Sequence, residues 1–319
     1  MIAKTLYHMR ITVSISFMLA LLLTPACQPK LTALEKVQQM GVLTVVTRSS
    51  PALYFHDAGN AQGSGFEYEL AKQFAEEIGV TLVMEEQQTL GGVLDAVKDK
   101  RANLAAAGLS ITRERNKDFH FTTPYQRITQ RLIYRSGSGY NHSNAPKNIS
   151  DLIGKRIVVM AHSSHAERLA ILKKAHPNLE WVAKDNIDSA ELIQLVFEHE
   201  FDFTIIDSNE FAAHQALMPE LTAAFDIGEP ESVAWAFDRT EDDSLYLAAD
   251  DFLANINTDG RLEALKERFF GHINRQFNYV GARRLLRHMD KRLPEFEKYF
   301  KDAAAQEGLD WRLLAAVSY

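Results

Sequence analysis

The sequence is poor in cysteine: Cys27 is the only one in 319 residues, so no disulfide can form within the chain. It also has no excess of basic charge. Its 35 Lys and Arg stand against 42 Asp and Glu, a net charge of −7. Nucleic-acid binding needs clustered cations along the phosphates, so that class of partner is excluded. The 11 histidines, His162, His165 and His176 among them, show neither HExxH nor Cys/His spacing, so no metal site is expected. There is no GxSxG elbow, no P-loop, no internal repeat and no cofactor motif.

A bilayer-spanning helix needs roughly 20 apolar residues, and the apolar-rich run from Ile11 to Leu23 falls short of that. Lys4 and Arg10 precede it and small residues follow in "LLLTPAC", so residues 1–27 read as a signal peptide or a lipoprotein-type anchor. Export leads to a compartment where disulfides are permitted, and a lone thiol there needs another explanation. "TPAC" resembles a degenerate bacterial lipoprotein box, which makes Cys27 a lipidation candidate although Thr24 stands where such boxes usually carry Leu. A plain signal peptide and a retained anchor remain the alternatives.

From Val42 onward short β-rich runs alternate with amphipathic helices, the pattern of an α/β domain with mainly parallel strands. Val42–Thr47 reads as a strand. Leu70, Ala71, Phe74, Ala75 and Ile78 then place a helix over Glu67 to Ile78, stopped by Gly79. A strand at Thr81–Glu85, a helix over Val93–Asp99 and strands at Asn103–Ala107 and Arg131–Arg135 follow. "SGSGYNHSNAPKN" then breaks the periodicity, as a crossing between lobes would. A second α/β set runs from Arg156 to Ile206, and "VAWAF" with two more helices returns to the first. The expectation is one cleft domain over 28–271, with lobe 1 at about 41–135 and 232–271 and lobe 2 at about 140–231. Beyond Gly271 the pattern is helical.

Ligands of open α/β sheets bind beyond the carboxyl ends of the strands. The residues there are Arg48, then Ser110, Thr112, Arg113 and Arg115, then Ser163 and Ser164, then Asp207. A guanidinium can grip a carboxylate bidentately, hydroxyls can complete its lone pairs, and an aspartate can accept from an ammonium. The plainer reading is that Arg113 to Lys117 is a charged helix start and Asp207 a helix N-cap.

The stretches "GVLTVVT", "GSGFEYELAKQFAEEIGVTL", "AAGLSITRERNKDFHFTTPY", "ISDLIGKRIVVMAHSS", "FDFTIIDSNEFA" and "INTDGRLEALKERFFG", in this order, resemble the extracellular solute-binding protein family 3. That resemblance implies a two-lobed, periplasmic-binding-protein-like (type II) α/β cleft. In it, Arg115, aided by Ser110, would hold a ligand α-carboxylate, Ser164 would add a hydroxyl, and Asp207 would take the α-ammonium. The family often has aromatic residues in the entry loop and a Trp in the next βα turn, where this chain has "SPALYF" and "TLGG".

The tail "LPEFEKYFKDAAAQEGLDWRLLAAVSY" resembles the opening of the all-α, lysozyme-like lytic transglycosylase domain, so residues 272–319 read as a truncated N-terminal part of it. There a "DWRLLAA" helix leads into a Gln-Glu-Ser turn, so the expected catalytic Glu would lie just beyond Tyr319 and none is assigned within the chain. Glu295, Glu297, Glu307 and Asp310 read as solvated charges or caps. The two resemblances together imply a murein lytic transglycosylase at the periplasmic side of the outer membrane. Its partners would be peptidoglycan glycan strands, an amino acid or muropeptide in the cleft, and the membrane through the N-terminal anchor. The alternative is an amino-acid-binding protein of an ABC-type importer or a sensor.

Overall fold

The computed structural model describes residues 30–50, 53–56, 63–137, 144–218, 220–270, 292–307 and 309–318. Cys27 and the signal segment lie outside the described residues. The strands, in chain order, are β1 (Val42–Thr47), β2 (Phe55–His56), β3 (Gly63–Ser64), β4 (Thr81–Glu86), β5 (Leu104–Ala105), β6 (Phe119–Phe121), β7 (Gln126–Ile128), β8 (Gln130–Arg135), β9 (Ile157–Met160), β10 (Val182–Lys184), β11 (Phe203–Asp207), β12 (Leu221–Asp226), β13 (Glu231–Val233) and β14 (Ala236–Asp238). The helices are α1 (Ala33–Met40), α2 (Phe66–Glu77), α3 (Leu90–Lys98), α4 (Arg115–Asp118), α5 (Ser164–Lys173), α6 (Ser189–Phe197), α7 (Ser208–Leu217), α8 (Ser244–Asp259), α9 (Arg261–Phe270), α10 (Leu293–Glu307) and α11 (Trp311–Ser318).

Two five-stranded sheets organise the chain, ordered β4-β1-β5-β14-β6 and β10-β9-β11-β8-β12. In the first, β1 runs parallel to β4 and β5, while β14 returns antiparallel. In the second, β9 is parallel to β10 and β11, and β8 is antiparallel to β11 and β12. Leu43, Val45 and Val46 are fully buried because the first sheet is covered on both faces. On one face α2 presents Phe66, Leu70 and Phe74 to Trp235 and Phe252; the Trp235 and Phe252 rings stack 6.2 Å apart with planes 13° off parallel. On the other, α3 brings Val93, Ala96 and Val97 to Val46 and Phe119.

The first lobe boundary differs from the expectation. Arg131–Arg135 belongs to β8, whose Leu132 and Ile133 pair with Ile205 and Thr204 of the second sheet. The outward crossing is therefore β7, not the polar stretch after Arg135, part of which lies outside the described residues. β7 pairs with the returning β13 as an antiparallel ribbon, Gln126 opposite Val233 and Ile128 opposite Glu231. Composition marks a loop, but which sheet a strand joins is decided by hydrogen bonds to residues some 70 positions away, here Ile133 to Thr204.

Helix α1 was not foreseen; Thr32 and Glu35 close a capping box around its start and Gly41 ends it in the left-handed region at φ 70°. In the tail, Asp310 caps α11 by accepting from the Arg312 N–H at 2.9 Å, and Ala304 of α10 is buried. Phe296, Tyr299 and Leu313 are exposed. No helix among the described residues is long and apolar enough to cross a membrane.

Candidate ligand cleft

The carboxyl ends of β1, β5, β9 and β11 converge on one narrow cavity of ≈ 70 Å³ between the two sheets. Arg48 and Ser50 follow β1, Ala107 to Ser110 follow β5, Ser163, Ser164 and His165 open α5 after β9, and Asp207 ends β11. Arg115, Ser110, Ser164 and Asp207 all line it. Arg113, also considered from the sequence, is exposed. A wider outer cavity of ≈ 220 Å³ shares Arg48, Ser49 and Asp188 with the inner one and adds Glu86 and Glu191. A cavity of ≈ 790 Å³ lies at the opposite, amino ends of the first sheet's parallel strands, between α1 and the residues after β14. Its Asp242 is engaged in holding the Ala33 N–H at 2.6 Å, and its Arg239, which follows β14, is engaged in donating to the Asn116 carbonyl at 2.7 Å.

Arg115 is only 5% exposed. Its Nη1 donates to the Ser110 carbonyl at 3.2 Å, its Nη2 to the His162 carbonyl at 2.9 Å, and its Nε stands 3.2 Å from Glu167 Oε1. Burial pushes the guanidinium below its usual range, opposed by Glu167, Glu231 and Asp207. Five N–H groups leave donors in excess of those two backbone acceptors. The Ser110 loop is fixed from behind: the Ile111 N–H donates to the Ser232 carbonyl at 2.8 Å, tying the loop to β13.

Asp207 occupies the N-cap position of α7 but its side chain caps nothing. Its Oδ1 instead lies 2.8 Å from His165 Nε2. The capping reading of Asp207 is thus set aside by its geometry. Ser164 Oγ accepts from Gln130 Nε2 at 3.0 Å and reaches Ser110 Oγ at 3.5 Å.

Several bonds cross between lobes. Arg48 Nη2 donates to the Ile187 carbonyl at 2.9 Å, Ser50 Oγ to Glu210 Oε1 at 2.8 Å, and Arg115 to His162 as above. The conformation is a closed one, held by groups of the chain itself. Behind the Ser110 loop, Glu67 is fully buried and accepts from Tyr125, from Trp235 Nε1 at 3.0 Å and from the Gly108 N–H at 2.9 Å. Sequence reasoning missed His165, Glu210, Gln130 and Glu67 as members of this site. For His165 the available signal was adjacency to Ser163 and Ser164 at the start of α5. Among the described residues no cluster of His, Cys, Asp and Glu is arranged to hold a metal ion.

Comparison with known proteins fits this geometry. Proteins named membrane-bound lytic murein transglycosylase F align with nearly the whole chain. That of Pseudomonas fluorescens is 42% identical over 93% of the chain, and that of Ectopseudomonas mendocina 40% identical over 100%. The chain spans 60% and 64% of those two proteins. Among solved structures, a mutant of ArgBP from T. maritima superposes with a TM-score of 0.66 at 24% identity, covering 75% of this chain and 99% of the other. The amino acid ABC transporter substrate-binding protein AbpA from Streptococcus pneumoniae, bound to L-arginine, gives 0.65 at 24%, with 75% and 98% covered. These likenesses show the two-lobed fold. Residues 43–272 match the model of a single family, and with the paired sheets, the β7–β13 crossing and the cleft at the strand ends, the chain belongs to the bacterial extracellular solute-binding proteins, family 3.

Proposed function

We propose that this chain is the solute-binding part, with the opening helices of the catalytic domain, of a murein lytic transglycosylase. What supports the reading is that the 40% identity to the Ectopseudomonas mendocina protein extends over the whole chain, cleft and helical tail alike. Such an enzyme cleaves the MurNAc-GlcNAc bond without adding water: one carboxyl protonates the glycosidic oxygen and then, as base, directs the muramyl 6-hydroxyl onto the anomeric carbon. The first role needs a carboxyl kept protonated by an apolar site. In the tail Asp310 is the opposite case, held below the usual carboxylate range by Arg312. Glu297 is paired with Lys301 at 2.6 Å.

In this reading the cleft binds an amino acid or muropeptide, with Arg115, Ser110 and Ser164 on its carboxylate, and couples that binding to wall cleavage. Cys27 would carry the lipid that holds the protein at the periplasmic face of the outer membrane. The test is incubation with purified peptidoglycan. The gene product that carries this chain is expected to release 1,6-anhydromuropeptides. Their absence from the digest, or ordinary hydrolysis products in their place, would overturn the reading.

A further inference from the structure

Each carboxylate in the inner cavity already holds one partner from the chain itself. Asp207 is engaged by His165 at 2.8 Å, Glu210 by Ser50 at 2.8 Å, and Asp188 caps α6 by accepting from the Glu191 N–H at 2.8 Å. Just behind, Glu231 is held by Arg168 at 2.6 Å and Gln130 at 3.0 Å, and Glu167 faces Arg115.

The donors are in the opposite condition. Arg48 Nε and His165 Nδ1, the latter a donor when the ring is doubly protonated, are buried without a hydrogen-bond partner, while Arg115 Nε lies 3.2 Å from Glu167 Oε1 as an ion pair. All three residues line this cavity, and Arg115 and His165 are 5% and 8% exposed. Buried donors left unmet are costly, so a ligand that completes the site should bring acceptors. A free amino acid brings a carboxylate and, beside it, an ammonium with three donors. That ammonium would have to displace the imidazole from Asp207, or sit against it in a closed site where like charges repel more strongly than in water.

We infer that the cleft selects a carboxylate whose α-nitrogen is acylated, an N-acyl amino acid or N-acylated peptide, with His165 supplying Asp207 with the cation that a free α-ammonium would otherwise bring. The inference rests on the proposed grip of Arg115 on the carboxylate. An acyl carbonyl is an acceptor for Arg48 or His165, and an amide N–H is a neutral donor that the second oxygen of Asp207 can take without displacing the imidazole.

The selection depends on pH. Facing His165 are Asp207 at the end of β11, Glu210 on α7, Glu231 on β13 and Arg115 on α4. Burial lowers the imidazole's proton affinity, but Asp207, Glu210 and Glu231 together raise it above the ordinary value. Once the ring loses its second proton, Nδ1 becomes an acceptor and the discrimination against an ammonium fades.

Calorimetry on the full chain with L-alanine, L-lysine and L-arginine beside their Nα-acetyl forms tests this. At about pH 6 the acetyl forms are expected to bind at least about 10-fold tighter, with the ratio falling as pH rises through the imidazole titration. His165→Ala and the charge-free, similarly sized His165→Gln should both shift the preference towards the free amino acids. Free forms binding the unmodified chain as tightly as acetyl forms near pH 6, or a ratio that neither variant moves, would overturn the inference. If acetyl forms bind but Arg115→Ala does not weaken them, or if neither class binds any variant, the carboxylate grip itself fails and the inference with it. Loss of binding in Arg115→Ala with an unmoved ratio in both His165 variants would place the failure on His165 alone.

Discussion

The indole Nε1 of Trp235, next to β14, donates to Glu67 Oε2 of α2 at 3.0 Å, both residues being fully buried. The same carboxyl accepts from Tyr125, which stands at the outward crossing, and from the Gly108 N–H of the loop that carries Ser110. One side chain therefore links the ligand loop to both crossings between lobes. Glu67→Gln places an amide NH₂ among three donors, so at least one is left unmet, at a cost of about 1–3 kcal/mol in urea unfolding.

That bond network also has a pH signature. Burial raises the Glu67 pKa above the ordinary carboxylate value, against the lowering by its three hydrogen bonds. A raised folded-state pKa means that the folded protein binds the proton more tightly than the unfolded chain. Its contribution to stability is full below the unfolded pKa and is lost as pH rises through the folded value. This component of the pH dependence should be missing in Glu67→Gln when urea midpoints are compared across that window.

Glycine is required at two places under the cleft. Gly65 has φ 126° and a Cβ there would overlap the Leu53 carbonyl oxygen; Gly108 has φ 63° and a Cβ would lie 2.6 Å from Leu53 Cδ1. Both Ala variants should lower the melting temperature. Gly65→Ala is expected to be the worse, because a backbone carbonyl yields less than the end of a leucine side chain.

Replacing Arg115 by Lys keeps the charge but loses the planar fork that meets the Ser110 and His162 carbonyls together. Carboxylate affinity is expected to fall by at least about 10-fold in calorimetry. With one inter-lobe bond weakened, small-angle scattering should report a larger radius of gyration for the variant.

Two phenylalanines should behave in opposite ways. Phe74, fully buried against Trp235 and Phe252, is expected to cost about 3–5 kcal/mol on truncation to Ala, measured by urea unfolding. Phe296 on α10 is 45% exposed, so Phe296→Ala should stay within about 0.5 kcal/mol.

Local spacing was enough for the order and kind of most elements. β1 has the bounds expected from "VLTVVT", and α2 differs from its expected span by one residue at each end. That Arg115, Ser110, Ser164 and Asp207 line one cavity was legible because each lies at or after a strand end and falls within a family phrase, both being properties of neighbouring residues. Glu67 was legible only as one more charge at a helix start, although its position four residues before the buried Ala71 sets it on the inward face.

What the sequence by itself determined is thus the alternation of strands and helices and the set of side chains delivered to the strand ends. Tertiary structure alone decided that β8 lies in the second sheet, that Glu67 is enclosed by Tyr125 and Trp235, and that His165 rather than solvent meets Asp207 across 42 positions of chain. The reason is physical. Backbone periodicity is set within a few residues, whereas the partner of a buried charge is whichever group packing brings within about 3 Å of it, however distant in sequence.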